Sequence, residues 1–273
     1  MSPLVTPETL ARELASSTPP LLIDLRPAES YCDNHLPGAV HLDLFGISCI
    51  DTDPAPLKAF FWIIEHLLAS RGVSNDIAVV VYDDTSGIRA ARAFWILEFF
   101  GHPNSRVLDG GINAWSRTGL PVTQLAPKPR PTEWTGTRSE DILAGWRDVK
   151  DRLDRDDAVI VDTRSDGEYA GTTVRAARGG AVPGAVHLEW TNNLADDGAF
   201  KSRDELRQMY ERAGVAPDRE VVTYCQGGYR AAHSYLALRL AGYPRVRNYI
   251  GSWKEWGDRV DLPIEQPKRP RPE

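Results

Sequence analysis

The chain has 273 residues, more than one small core needs and about right for two ordinary domains. With 42% hydrophobic and 26% charged residues it has a globular composition, and a net charge of -6 gives no electrostatic reason to expect nucleic acid or an anionic membrane as partner. No stretch approaches the roughly 20 apolar residues of a membrane helix, and "MSPLVTPETLARELASS" lacks a basic segment followed by an apolar one, so no secretory signal is expected. Three cysteines, Cys32, Cys49 and Cys225, are too few and too odd in number for a disulfide framework, which makes a reducing cytoplasm the default location.

Taken in order, Thr6-Pro7-Glu8 is a good helix start, and "TPETLARELASS" carries apolar residues at helical spacing. "LLIDL" (21–25) and "AVVVY" (78–82) read as strands, and "RAARAFWILEFFG" (89–101) as a buried helix closed by Gly101 and Pro103. "LPVTQLAPKPRPTEW" (120–134) is proline-rich and without apolar periodicity, a semi-extended linker. The pattern then begins again. "LLIDLRPAESYCDNHLPGAVHL" (21–42) recurs as "VIVDTRSDGEY…GAVPGAVHL" (159–188), and "RGVSNDIAVVVY" (71–82) as "AGVAPDREVVTY" (213–224). "GGINAW" (110–115) lines up with "GSWKEW" (251–256), and a second buried helix, "RAAHSYLALRLAG", closes on Gly242 and Pro244. Strands alternating with helices imply an α/β fold, with a mainly parallel sheet and helices on both faces in each copy. The expected division is a first domain over 1–122, a linker over 123–138 and a second domain over 139–273, with the tail "PKRPRPE" (267–273) frayed.

The second copy carries a strand–Cys–loop–helix element, "EVVTYCQGGYRAA". Chemistry in α/β sheets sits beyond the carboxyl ends of strands, and Cys225 stands there. Gly227 and Gly228 let successive N–H groups of the loop converge, the following helix offers its positive end, and Arg230 adds a fixed charge. All of these favour a thiolate over a thiol, so Cys225 is expected to be a reactive nucleophile rather than a buried apolar residue.

The "DLR" and "DTR" that follow the first strand of each copy, "HLPGAVHL", "AVPGAVHL", the loop "CQGGYR" and "NYIGSWKEWGD" resemble the tandem-domain rhodaneses over nearly the whole length. These are sulfurtransferases of the thiosulfate or 3-mercaptopyruvate type. The resemblance implies two tandem rhodanese-like domains, with a persulfide formed on Cys225 and only the C-terminal domain catalytic. The repeat agrees with that asymmetry: "YDDTSGIR" (82–89) replaces "YCQGGYR", and Asp83 stands where a sulfane sulfur would need cysteine. Asp24, Arg26 and His41 are kept in the copy without a nucleophile, so their counterparts Asp162, Arg164 and His187 are expected to be structural.

Twelve residues separate Asp24 from Pro37, but twenty separate Asp162 from Pro183. The extra segment lies in "GTTVRAARGGA", where Arg175 and Arg178 are candidates to bind an anionic donor. With them, Gln226, Gly227, Gly228, Tyr229 and Arg230 form the expected donor site around Cys225. Cys32 and Cys49 lack that context, and the tryptophans of "GSWKEW" fit packing better than base stacking. No nucleotide or organic cofactor is expected, and no cluster has metal-ligand spacing.

The expected reaction is a double displacement from thiosulfate to cyanide or a thiol. Three alternatives stand beside it. One is 3-mercaptopyruvate as donor, although enzymes of that type commonly read Cys-Gly-Ser/Thr-Gly where this chain has Cys225-Gln226-Gly227-Gly228. A thiosulfate enzyme often has arginine where Gln226 stands, and some mammalian ones have arginine at the position of Glu168. The second is a relay module that passes persulfide to a partner protein. The third is a phosphatase or arsenate reductase, for which Cys-x4-Arg is one residue shorter than the Cys-x5-Arg loop that surrounds a tetrahedral oxyanion.

Overall fold

The computed structural model describes residues 2–267, so most of the tail lies outside the described residues. The chain forms two compact units. The first comprises the residues up to Ile47, Lys58–Ser139 and Leu194–Phe200, and the second Ser48–Leu57, Glu140–Asn193 and the chain from Lys201 on. Each unit thus holds a short segment from the other half of the sequence.

In the first unit the strands are β1 (Leu4–Val5), β2 (Leu21–Asp24), β3 (Val40–His41), β4 (Val79–Tyr82) and β5 (Ser105–Leu108), ordered β1-β5-β4-β2-β3. Its helices are α1 (Pro7–Leu14), α2 (Ala28–Asp33), α3 (Pro54–Ala69), α4 (Ile88–Phe99) and α5 (Gly111–Arg117), the start of α3 counting with the second unit. The second unit repeats the order as β6-β10-β9-β7-β8. These strands are β6 (Leu143–Ala144), β7 (Ala158–Asp162), β8 (Val186–His187), β9 (Glu220–Tyr224) and β10 (Val246–Tyr249). Its helices are α6 (Trp146–Lys150), α7 (Asp166–Tyr169), α8 (Arg203–Arg212), α9 (Tyr229–Leu240) and α10 (Ser252–Asp258).

Every pairing between these strands is parallel. Parallel strands covered on both faces need continuous apolar runs, which is why "VVVY" and "AVIVD" are buried along their whole length. The register brings Asp162 beside Tyr224 and Asn248 beside Thr223, so β7, β9 and β10 end nearly level at one edge. The loops that leave those ends build the site.

The residues shared by the two copies form a frame. Arg164 pairs with Asp162 at 2.5 Å, and the Tyr224 hydroxyl donates to the same carboxylate at 2.5 Å while accepting the Val182 N–H at 3.1 Å. In the first unit, Arg26 pairs with Asp24 at 2.7 Å, and the Tyr82 hydroxyl accepts the Leu36 N–H at 3.1 Å. His41 Nε2 lies 2.9 Å from the Arg26 carbonyl, and His187 Nε2 lies 2.7 Å from that of Arg164. A frame repeated where no nucleophile exists braces the sheet edge. The tryptophans belong to it: Trp253 and Trp256 lie in the second core, Trp115 in the first, and the indoles of Trp115 and Trp256 donate to the carbonyls of Pro121 and Pro263.

No helix or strand lies between Arg117 and Glu140. That stretch runs along the first unit, where Thr123 bridges His35 and the Trp134 indole donates to Asn75 at 2.7 Å.

Candidate active site

Cys225 follows the last residue of β9 and is buried, with 1% of its surface exposed. The chain turns at once through Gln226 and Gly227 into Gly228, which lies at φ +84°, where a Cβ would stand 2.8 Å from the Ile250 carbonyl. Only glycine takes that backbone without strain in so close a space. The turn aims the Gly228 N–H at the cysteine sulfur, 3.2 Å away, and starts α9 directly behind it. The positive end of a twelve-residue helix therefore faces Sγ.

A second element fixes the loop from the side. At the start of α10, Ser252 has φ +52°, the one positive φ among the described non-glycine residues. Its hydroxyl accepts the N–H groups of Cys225 and Gly228, both at 3.1 Å, donates to the Tyr249 carbonyl at 2.7 Å and stands 4.0 Å from Sγ. The N–H groups of Trp253 and Lys254 hold the carbonyls of Cys225 and Gln226 at 2.9 and 3.0 Å. In the first unit Ile112 and Asn113 make the matching bonds to Asp83 and Asp84, which makes Gly111, at φ +58°, the equivalent of Ser252. The hydroxyl is thus peculiar to the copy with the cysteine.

The counterpart loop of the first unit holds an anion of its own. In the first unit the Asp83 carboxylate accepts the N–H groups of Gly87, Arg89 and Ala90 at 2.9, 3.1 and 3.1 Å. Burial pushes its carboxyl up to about 6 against the pull of those three donors. The first copy fills its own anion cradle.

Arg230, in the first turn of α9, meets Glu168 of α7 in a two-point ion pair of 2.6 and 2.9 Å. Glu168 also accepts the N–H and hydroxyl of Ser165, which caps α7. Burial pushes the Glu168 carboxyl up, but Arg230 and Ser165 outweigh it and hold the carboxyl at about 2.

The inserted segment separates the two arginines expected there. Arg178 donates to the carbonyls of Trp256, Gly257 and Leu262 at 3.0, 3.1 and 2.9 Å, and to that of Arg259. It clamps the C-terminal end of α10, its guanidinium committed to backbone carbonyls. Arg175 is 60% exposed, its Nε 3.8 Å from Glu168, and its backbone carbonyl accepts the Gln226 side chain at 2.9 Å. Gln226, Gly227 and Tyr229 are partly exposed, while Gly228 is buried. Cys49 is buried and Cys32 exposed, and neither forms a disulfide. Among the described residues no group of three or more His, Cys, Asp or Glu side chains is arranged to hold a metal.

The model of the rhodanese-like domain matches residues 6–118 and again 146–259. The chain belongs to the rhodanese family. Among curated rhodaneses it is similar to a thiosulfate sulfurtransferase of Pseudomonas aeruginosa, 36% identical over 263 residues and 96% of each chain. It is 37% identical to a thiosulfate sulfurtransferase of Azotobacter vinelandii over 90% of each chain, and 36% identical to the sulfur carrier protein TtuD of Thermus thermophilus over 86% of each. Its fold is shared by the anaerobic ergothioneine biosynthesis enzyme of Chlorobium limicola, with a TM-score of 0.83 over 97% of this chain and 70% of that one at 22% identity.

Two further residues of the candidate site are legible only as differences between the copies. Ser252 lies inside "GSWKEW" and Glu168 inside "VIVDTRSDGEY". Ser252 aligns with Gly111. Glu168, one residue before the Tyr169 that matches Tyr31, aligns with Ser30, and both tyrosine hydroxyls donate to an alanine carbonyl, of Ala39 and Ala185. The signal was the mismatch within the repeat.

Proposed function

We propose that the chain is a thiosulfate sulfurtransferase, moving a sulfane sulfur from thiosulfate to cyanide or a thiol through a persulfide on Cys225. The observation that carries this is the seat of Sγ: a buried sulfur on the Gly228 N–H, at the head of α9, in a loop whose counterpart cradles a carboxylate.

The Cys225 thiolate attacks the outer sulfur of thiosulfate. A new S–S bond forms, the S–S bond of the donor breaks, and sulfite leaves with its electron pair. Gly228 N–H and the first turn of α9 stabilise the negative terminal sulfur, while Ser252 keeps the turn in place. Arg175, exposed at the rim, attracts the donor dianion, and Gln226 fixes the backbone that carries it. Cyanide then takes the terminal sulfur as thiocyanate and returns the thiolate. No step calls for a cofactor. Three cysteines with no disulfide among them fit a reducing cytoplasm, and no helix among the described residues is long and apolar enough to cross a membrane.

A protein acceptor is the second reading, favoured by the likeness to a sulfur carrier protein. Initial rates of thiocyanate formation over a grid of thiosulfate and cyanide concentrations test the first. Parallel double-reciprocal lines are expected, as for a ping-pong cycle. A protein that takes up sulfur but yields no thiocyanate would move the assignment to the relay.

A further inference from the structure

We propose that Glu168 determines the class of sulfur donor by closing the Arg230 guanidinium to a donor carboxylate. The inference rests on the sulfurtransferase reading and narrows it.

Arg230 stands five residues after Cys225 in the first turn of α9, and its side chain is 16% exposed. Its planar fork is the group in this site best shaped to take a carboxylate on two parallel bonds. That fork is already filled. Glu168 occupies it at 2.6 and 2.9 Å, is itself only 2% exposed, and is held from behind by Ser165. An incoming carboxylate meets a neutral pair whose anionic half is in place. The partner differs between the copies: in the first unit Arg89 takes the Asp43 carboxylate at 2.5 Å instead, and Ser30 stands at the Glu168 position.

The two donor classes place their charge differently. In thiosulfate the anionic oxygens sit on the sulfur bonded directly to the one transferred. They stay beside the loop and need only N–H groups and a single cation, which Arg175 supplies at 60% exposure. In a 2-oxo acid thiol such as 3-mercaptopyruvate the carboxylate is three bonds from the sulfur. It has to be gripped away from Cys225, where the structure offers a guanidinium already in use. Transfer from that donor would form the Cys225 S–S bond, break the carbon–sulfur bond and move the thiol proton to carbon, giving pyruvate. The chemistry is open to Cys225, and the limit lies in binding.

The test measures kcat/KM for thiosulfate and for 3-mercaptopyruvate, with cyanide as acceptor, in the wild type and in Glu168→Gln. The variant keeps the side chain's shape and frees the fork. The ratio of 3-mercaptopyruvate to thiosulfate is expected to rise about tenfold or more, the size of a charge-assisted pair gained. Pyruvate, which carries the carboxylate without sulfur, should inhibit the variant well below the concentration that affects the wild type. A folded variant whose ratio stays within about twofold of the wild type, or whose pyruvate inhibition is unchanged, overturns the assignment. Should the glutamine chain fail to fold, Glu168→Asp keeps the charge but shortens its reach. Its ratio should lie above that of the wild type, and an unmoved ratio counts equally against the proposal. A wild type that takes sulfur from neither donor defeats the sulfurtransferase reading itself, before any variant is compared.

Discussion

The Ser252 hydroxyl accepts the Cys225 N–H at 3.1 Å from a backbone position where the other copy of the fold has glycine. A left-handed conformation at a residue with a side chain costs about 1 kcal/mol or more, and it persists where the surroundings hold it. Here the return is a single oxygen that ties both ends of the cysteine turn.

Ser252→Ala should therefore leave the buried Cys225 N–H without its acceptor, leave the Gly228 N–H with Sγ alone, and let the turn relax. We expect kcat to fall about tenfold or more, with KM for thiosulfate changed much less, since removing such an acceptor typically costs 1–3 kcal/mol. Ser252→Gly should be as slow but about 1 kcal/mol more stable than Ser252→Ala, because glycine relieves the backbone. Steady-state kinetics with thermal melts separates the two effects, and wild-type kcat in Ser252→Ala would remove the positioning role.

The two arginines of the inserted segment should separate in the same way. Arg175→Ala is expected to raise KM for thiosulfate about five- to tenfold while the melting temperature stays near that of the wild type, as befits an exposed cation. Arg178→Ala should lower stability by roughly 3 kcal/mol, because four carbonyls at the end of α10 lose a charged donor. A KM effect at Arg178 with no loss of stability would reverse these roles.

The pair of Glu168 and Arg230 makes a prediction about acid. The folded carboxyl is held at about 2, below its ordinary 4.5. A group whose folded value is depressed stabilises the fold above its unfolded value and loses that contribution as pH falls through the folded one. Wild type should exceed Glu168→Gln by a pH-linked margin of about 3 kcal/mol near pH 6, shrinking steadily between pH 5 and 2. Denaturant unfolding at several pH values measures the margin, and a constant difference would mean that the pair does not titrate in that window.

Asp83 holds three N–H groups at the head of α4, as a capping residue does. Asp83→Ala should cost about 2–3 kcal/mol of stability, with turnover by the folded enzyme unchanged. Loss of activity in a fully folded variant would give the first unit a part in the chemistry.

Much of this is legible in the sequence alone. The repeat exposed the tandem fold because two copies of one pattern must solve the same packing problem. Cys225 stood out because strand, glycines and arginine in that order have few other uses. The frame of Asp162, Arg164 and His187 was readable as structural from its survival beside Asp83. Side-chain commitments were not legible. Arg175 and Arg178 are three residues apart in one loop, and only the folded chain separates an exposed guanidinium from one surrounded by carbonyls. The partner of Arg230 was equally hidden, since Glu168 is 62 residues away and the ion pair depends on how α7 meets α9. Nor does any local pattern indicate that Ser48–Leu57 packs with the second half, where Glu255 accepts the Thr52 N–H at 2.6 Å and the Tyr249 hydroxyl at 2.8 Å.

The most direct test of the account is the intact mass of the purified protein after incubation with thiosulfate, beside the Cys225→Ala variant. The account predicts that the wild type becomes heavier by one sulfur atom, that the variant does not, and that cyanide restores the original mass. A wild type that gains no sulfur, or a variant that gains as much, would contradict it.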